Sequence, residues 1–404
     1  MSSAQQTTPT GPAEQEPAGR TSSPLGPEAD AARRTAPALV DGAEAAHRAL
    51  FTDPGPIAPP VARGLAALAA RRHGAAAIAE RHARLGADPA LYSGGPPADP
   101  ALRAAADHVE LLSCSPALAR REDTGRLAAA GWSPEEIVAV SQIAAYTAFH
   151  VRLAHGLRLL AGAAGEPVGL LDRPTRGRGR GKDTAPLAAN GGRRPASYTT
   201  GVLDWTPWVP PAEPGGLTGE QKASYAGKPD GPYFRLLARV PGVLRARTAV
   251  DKAVFGAREG LSRAERELAA TVASKVNDCL YCASVHSRKA ARISGRAEDV
   301  QRVLDAEPER GEDHRVLDAA PLSAGLEPRW AAVADFAAAL SATPSAATAA
   351  QVEGLRSHGL TEAELVGLVG ATAFFAWANR LMLTLGEPYL PGTAPSGAQS
   401  AASA

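Results

Sequence analysis

Residues 267–286 read ELAATVASKVNDCLYCASVH. The stretch carries Glu267, then Cys279 and Cys282 three apart, then His286 four residues on, and it holds two of the three cysteines in 404 residues. Just upstream, Ser262-Arg263-Ala264-Glu265 has the form of a capping box, a hydroxyl followed three residues later by a carboxylate. That signal predicts a helix from Arg263, with Glu267 on its second turn. Asn277-Asp278 reads as a second N-cap and places both cysteines in the first turn of the next helix. Unpaired amides and the positive end of the helix dipole favour a thiolate there. Cysteines at i and i+3 share one helix face, and Cys282 and His286 form an i, i+4 pair on it.

A free thiol titrates near pH ~8.5, so a nucleophilic cysteine needs a helix N-terminus, a cation or a base beside it. On the residues alone three readings are open: half of a zinc site, a buried structural disulfide, and a redox-active dithiol. Zinc needs two further ligands at short spacing, and none follows. The balance favours redox chemistry. Taken singly, His286 is an ordinary helix histidine and Glu267 an ordinary surface charge, and only their spacing from the cysteines singles them out.

The spacing Glu-x11-Cys-x2-Cys-x3-His resembles the motif of the alkylhydroperoxidase D-like branch of the carboxymuconolactone decarboxylase superfamily. Residues 233–245, YFRLLARVPGVLR, resemble the helix that enters that domain, and the resemblance runs from Gly201 to Pro391. Tyr281 stands where the best-known peroxidase members carry a histidine. The resemblance implies a hydroperoxide substrate, Cys282 as the attacking thiolate, His286 as its base, Glu267 holding the imidazole, and Cys279 as the resolving thiol. It implies a sulfenic acid that condenses to a disulfide, and an external dithiol reductant, either a lipoyl-bearing or a thioredoxin-like protein. A homo-oligomer without cofactor or metal is expected. The same thiols would also suit a thiol–disulfide reductase or a peroxide sensor. A decarboxylase of the muconolactone type shares the fold without needing the cysteine pair, and a non-enzymatic scaffold would need neither cysteine.

Composition agrees with a helical protein. Hydrophobic residues make up 45% and aromatics 5%, so small-residue helix packing is expected and few strands. A formal net charge of +1 argues against a general polyanion binder, so no nucleic-acid partner is expected. The first residues lack both a basic region and an apolar run, and no eighteen consecutive residues are apolar, so a cytoplasmic protein without a membrane partner is expected. Three cysteines in so long a chain are no secreted disulfide framework.

The fold class expected is all-α, two tandem alkylhydroperoxidase D-like helical domains joined by a disordered linker. Residues 1–35, poor in residues that can be buried, read as a disordered tail. Residues 36–170 read as a helical domain without a Cys-x-x-Cys, 171–197 as a flexible Arg/Gly/Pro-rich linker, 198–391 as the domain with the Cys-x-x-Cys, and 392–404 as a disordered tail. An internal repeat supports this. Sliding by 228 residues sets Asp107–Leu157 over Asp335–Leu385 with fourteen identities in 51 positions, Arg152/Arg380 and Ser113/Ser341 among them. At that offset Cys279, Cys282 and His286 fall on Phe51, Pro54 and Ala58, so the first copy cannot do the chemistry of the second. His73 and His82 read as surface histidines, and Cys114 as an apolar filler. The proline-rich segment 198–211 should lie across the core as an irregular strap, with Trp205 or Trp208 as candidate pocket walls.

Overall fold

A computed structural model describes residues 23–163 and 182–395. Sixteen α-helices account for most of the described residues, and the architecture is all-α. The first half holds α1 (Ala29–Thr35), α2 (Pro37–Phe51), α3 (Pro59–Arg72), α4 (Ala76–Arg84), α5 (Pro100–Cys114), α6 (Arg121–Ala129) and α7 (Pro134–Leu160). The second holds α8 (Gly219–Ser224), α9 (Pro232–Leu237), α10 (Pro241–Phe255), α11 (Arg263–Val276), α12 (Leu280–Ser294), α13 (Ala297–Asp305), α14 (Pro328–Ser341), α15 (Ala349–Ser357) and α16 (Glu362–Thr384). The local signals act as their chemistry dictates. Ser262 accepts from the Glu265 amide at 3.2 Å and Ser133 from the Glu136 amide at 3.3 Å, each completing a capping box. Proline opens α2, α3, α5, α7, α10 and α14, where its missing N–H costs nothing. Pro241 also divides the expected entry helix, so that residues 233–245 are split between α9 and α10.

The repeat is visible in the helices, with two registers. Pro100, Arg121 and Pro134 open α5, α6 and α7, each 228 residues before the start of α14, α15 and α16. Pro37, Pro59 and Ala76 open α2, α3 and α4, each 204 residues before the start of α10, α11 and α12. Between α12 and α14 the second half carries α13 and a hairpin of β2 (Glu309–Arg310) and β3 (Val316–Asp318), numbered after β1 (Asp204–Pro207). The sequence offset of 228 therefore holds only after this insertion. Upstream of it, Cys279, Cys282 and His286 correspond to Ala75, Ile78 and His82, not to Phe51, Pro54 and Ala58. The backbone agrees, since Asp278 has φ +56° and its counterpart Gly74 has φ +73°.

One hydrophobic cluster runs through both halves, from Leu25 to Leu385. Its centre is the packing of α7 on α16. An ideal Cβ on Gly156 would lie 2.6 Å from Val369, so only glycine lets the two backbones approach so closely. The rings of Phe149 and Trp377, equivalent at 228, lie 5.5 Å apart, and Trp377 donates to Gln142 at 2.7 Å. Both helices are long and apolar enough to cross a membrane by length and composition, and 94% of each apolar window is buried within the protein.

The matched arginines make this contact reciprocal. Arg152 donates to the Ser341 and Ala342 carbonyls at the end of α14, and Arg380 to the Leu112 and Ser113 carbonyls at the end of α5. Each also reaches the carbonyl four residues back on its own helix, Ala148 or Ala376, at 3.1 Å. A cation at a helix C-terminus satisfies carbonyls that have no intrahelical partner and meets the negative end of the dipole. This is the reciprocity of an interface between two like surfaces.

Four expectations need correction. Within 1–35, the described part forms α1, with Leu25 and Ala29 buried, because small residues pack closely enough to bury a helix that lacks large ones; residues 1–22 lie outside the described residues. Within 171–197, residues 182–197 pack against the second half, held by ion pairs to buried carboxylates: Lys182 to Asp278 at 2.5 Å and Arg194 to Glu387 at 2.5 Å; residues 171–181 lie outside the described residues. The strap is partly regular. Residues of β1 pair antiparallel with β4 (Gly386–Tyr389), Trp205 opposite Pro388, and Trp205 donates to the Met382 carbonyl at 3.1 Å. Of the tail, Thr393 accepts from the Arg193 amide at 2.8 Å and Pro395 lies against Gly191; residues 396–404 lie outside the described residues.

Because Gly156 leaves no room for a side chain, Gly156→Val should destabilise the whole chain by about 1–3 kcal/mol. Chemical denaturation followed by fluorescence and by circular dichroism should show one coincident transition moved to lower denaturant. Two separated transitions would mean that the halves do not share a core.

Candidate active site

Helix α11 ends at Val276 with Asn277 as its C-cap, and Asp278 in the left-handed region turns the chain into α12. Cys279 is itself the N-cap residue, and Cys282 lies in the first turn. Asn277 and Asp278 therefore close the preceding helix. The Asn277 amide donates to the Ala273 carbonyl at 2.9 Å, and the Asp278 carboxylate accepts from Lys182 and Tyr198 at 2.5 Å each and pairs with His314. The two cysteines are unbonded and buried, 1% and 5% exposed.

The sequence-predicted residues come as two pairs, Glu267 with His286 and Cys279 with Cys282, and His286 and Cys282 line one cavity. Glu267 is fully buried on α11 and accepts from His286 Nδ1 at 2.5 Å and from Arg263 at 2.7 Å. His286 is fixed edge-on to Phe375, ring centroids 4.5 Å apart, and 5.5 Å from Phe255. Burial alone would raise the Glu267 carboxyl, but the His286 hydrogen bond and charge, with Lys289 and Arg263, hold it below the usual carboxylate range. Burial pushes His286 down from the ordinary imidazole value of 6.5, and Glu267 only partly opposes this. At neutral pH the pair is thus a carboxylate and a neutral imidazole. With Nδ1 bound to the carboxylate, Nε2 is the basic nitrogen.

The two thiols are unequal. Burial, then the contact with Cys282, pushes Cys279 well above the ordinary thiol range. Cys282 is held below it, first by the hydrogen bond from Cys279, then, against burial, by the Asn379 amide and the charge of Arg247. Asn379 is aimed by a chain of contacts: it accepts from Asn277 and donates to Ser274, each at 3.1 Å. Sequence reasoning missed Asn379 and Arg247. An asparagine inside the apolar run of α16 was the available signal for the first, while nothing local marks Arg247.

Each thiol faces its own cavity. Cys282 and His286 line one of about 620 Å³, with Trp205, Tyr233, Phe374 and Phe375 among its walls. Cys279 lines another of about 910 Å³ beside Lys182, Tyr198, Trp208 and Arg310. Tyr281 and Met382 line both and so form the partition. Among the described residues no group of three His, Cys, Asp or Glu side chains is placed to hold a metal ion.

The first half has no thiol at the matching place. Ala75 and Ile78 stand for the cysteines and Arg63 for Glu267, while His82 keeps the place of His286. His73 and His82 are not surface residues but 1% and 2% exposed, and His82 packs on Phe51, ring centroids 4.8 Å apart. Burial lowers His82 and His108 to about 4. Cys114 is a separate thiol at the end of α5, pushed up to about 11 by burial.

Residues 241–324 match the carboxymuconolactone decarboxylase family. The matched segment contains Glu267, Cys279, Cys282 and His286. Among solved structures, the chain is similar to an uncharacterized peroxidase-related protein of Ralstonia eutropha, described as an alkylhydroperoxidase AhpD core, at 26% identity over 46% of this chain and 91% of that one, TM-score 0.36. It is also similar to an uncharacterized peroxidase-related protein of a Silicibacter species, at 24% identity over 38% of this chain and 74% of that one, TM-score 0.30. No curated protein matches it.

Two measurements check these electrostatics. Iodoacetamide should modify Cys282 before Cys279, with a pH midpoint below the ordinary thiol range, and Asn379→Leu should move that midpoint up; equal rates at both thiols would contradict the assignment. The second concerns acid stability. Glu267, His286, His82 and His108 are all depressed in the fold, so the unfolded chain takes up protons first, the histidines from 6.5 downward. Their stabilisation is full above the unfolded values and is lost as pH falls through the folded ones. Between pH 7 and 4 the urea midpoint should fall, and His82→Gln should flatten that fall by up to about 3 kcal/mol at pH 4. A midpoint independent of pH would show these groups to be solvated.

Proposed function

We propose that the protein is a thiol-dependent peroxidase that reduces hydroperoxides through a Cys279/Cys282 dithiol–disulfide cycle, built as two tandem alkylhydroperoxidase D-like units of which the first is degenerate. The observation that carries the reading is the Glu267–His286 pair, whose imidazole shares a cavity with a buried Cys282 held below the ordinary thiol range by its contact with Cys279. The family match over the same residues supports it.

Chemically, His286 Nε2 takes the Cys282 proton, and the thiolate attacks a peroxide oxygen. An S–O bond forms, the O–O bond breaks, and the departing alkoxide receives the proton back from the imidazolium, leaving an alcohol and a Cys282 sulfenic acid. Cys279 then attacks that sulfur, forming the disulfide and releasing water. An external dithiol, entering from the Cys279 side, restores both thiols. Attack at Cys279 expels Cys282, whose lower pKa makes it the better leaving group. Glu267 holds the imidazole in the required tautomer, and its burial keeps that hydrogen bond out of water.

Thiol counting after one equivalent of hydroperoxide should show loss of two thiols and, by mass spectrometry, a Cys279–Cys282 bridge with Cys114 free. Cys282→Ser should abolish peroxide consumption, Cys279→Ser should react once and stop at the sulfenic acid, and His286→Ala should slow the first step about 10²–10⁴-fold. Turnover of disulfide substrates without peroxide consumption would assign the site to a thiol–disulfide reductase instead.

A further inference from the structure

Arg247, on α10, is 5% exposed, lines the Cys282 cavity, and has no carboxylate partner among the described residues. One Nη donates to the Tyr233 hydroxyl at 3.3 Å, and Nε has no hydrogen-bond partner. Its guanidinium lies over the rings of Phe374 and Tyr233, 5.0 and 5.7 Å from their centroids. A guanidinium buried without an anion is costly, because two ring contacts and one hydrogen bond offset only part of what its donors and charge lose on leaving water. The position corresponds to Ala43 in the first half, so the arginine occurs in the half that has the thiols and is absent from the half that lacks them. Around the same cavity stand Lys228, Arg235 and Lys289 as further cations, against Asp251, which Lys228 engages, and Asp204. The cavity thus joins an unmatched positive charge to aromatic walls, and at about 620 Å³ it is far larger than hydrogen peroxide needs.

We propose that Arg247 receives the carboxylate of the substrate, and that the preferred hydroperoxides are organic acids carrying the –OOH group on an apolar or aromatic body. The inference rests on the peroxidase reading and adds the substrate class to it. The guanidinium forks onto the carboxylate, replacing the missing anion. The aromatic walls take the apolar body, which leaves the peroxide end for Cys282.

The test compares cumene hydroperoxide with its para-carboxylate, which have similar O–O bonds, in stopped-flow oxidation of the pre-reduced full chain. The carboxylate should react about ten- to a hundred-fold faster, the range of one charge-assisted hydrogen-bonded pair. In Arg247→Met that ratio should collapse toward one. Arg247 also stabilises the Cys282 thiolate by its charge, and loss of that effect alone would slow both substrates equally and keep the ratio. A wild-type ratio near one, or a ratio unchanged in the variant, overturns the proposal. Arg247→Lys, which keeps the charge but not the fork, should give an intermediate ratio and serves if the methionine variant does not fold. A second readout needs no peroxide: 4-isopropylbenzoate should protect Cys282 from iodoacetamide in the wild type and not in Arg247→Met, whereas 4-isopropylbenzamide should protect neither. If the benzoate protects but no hydroperoxide oxidises Cys282, the peroxidase reading falls and the anion site stands. If hydroperoxides react and the benzoate gives no protection, the reverse holds.

Discussion

The contact of α7 with α16 is the constraint on which the site depends. Gly156 lets Val369 come close, Trp377 fills the space beside Phe149, and the two buried arginines bind across to the ends of α5 and α14. Once α16 is fixed in this way, two of its inward side chains are fixed with it: Phe375 against the imidazole of His286, and Asn379 against the sulfur of Cys282. Helix α12 therefore supplies the thiols and the imidazole, while the packing between the halves supplies Phe375 and Asn379 against them.

The same arrangement explains why two thiols three residues apart differ so much. Both are buried, and burial disfavours a thiolate at either one. What separates them is the placing of donors: the Cys279 thiol first, then the Asn379 amide and the Arg247 charge, act on Cys282, whereas Cys279 meets Cys282 and the nearby Asp278 carboxylate. Tyr281 and Met382 then divide the space so that each sulfur opens to a separate cavity. On the proposed reading, unequal thiols opening to separate cavities suit an ordered two-step exchange, with one sulfur for the oxidant and the other for the reductant.

Much of this was legible in the sequence because it depends on short-range signals. Capping boxes at Ser133 and Ser262, prolines at helix starts and the spacing of Glu267, Cys279, Cys282 and His286 each act within a few turns. What escaped depends on distance along the chain. Asn379 and Arg247 reach Cys282 from α16 and α10, and no local pattern announces that. The segment 182–197 has little apolar surface to bury; its cations instead find Asp278 and Glu387, carboxylates already buried elsewhere. The gapless repeat misplaced the first-half counterparts because α13 and the β2–β3 hairpin lie between two stretches that match at different offsets.

On the proposed reading of two fused units, the first half shows what such a fold keeps when its chemistry is dropped. A buried thiol pair, an imidazole and a carboxylate are costly to maintain, since each polar group must find a partner away from water. Two identical subunits would have to carry that set at both positions, because one sequence makes both. A single chain does not. Here Ala75, Ile78, Arg63 and Ala43 stand at the places of Cys279, Cys282, Glu267 and Arg247, whereas the groups that serve the interface, Arg152 with Ser113 opposite Arg380 with Ser341, are present on both sides. His82 survives as a packed ring on Phe51, neutral because it is buried. The interface must be complete on both faces to close, but the thiols act from one face only, and the residues have separated along that line.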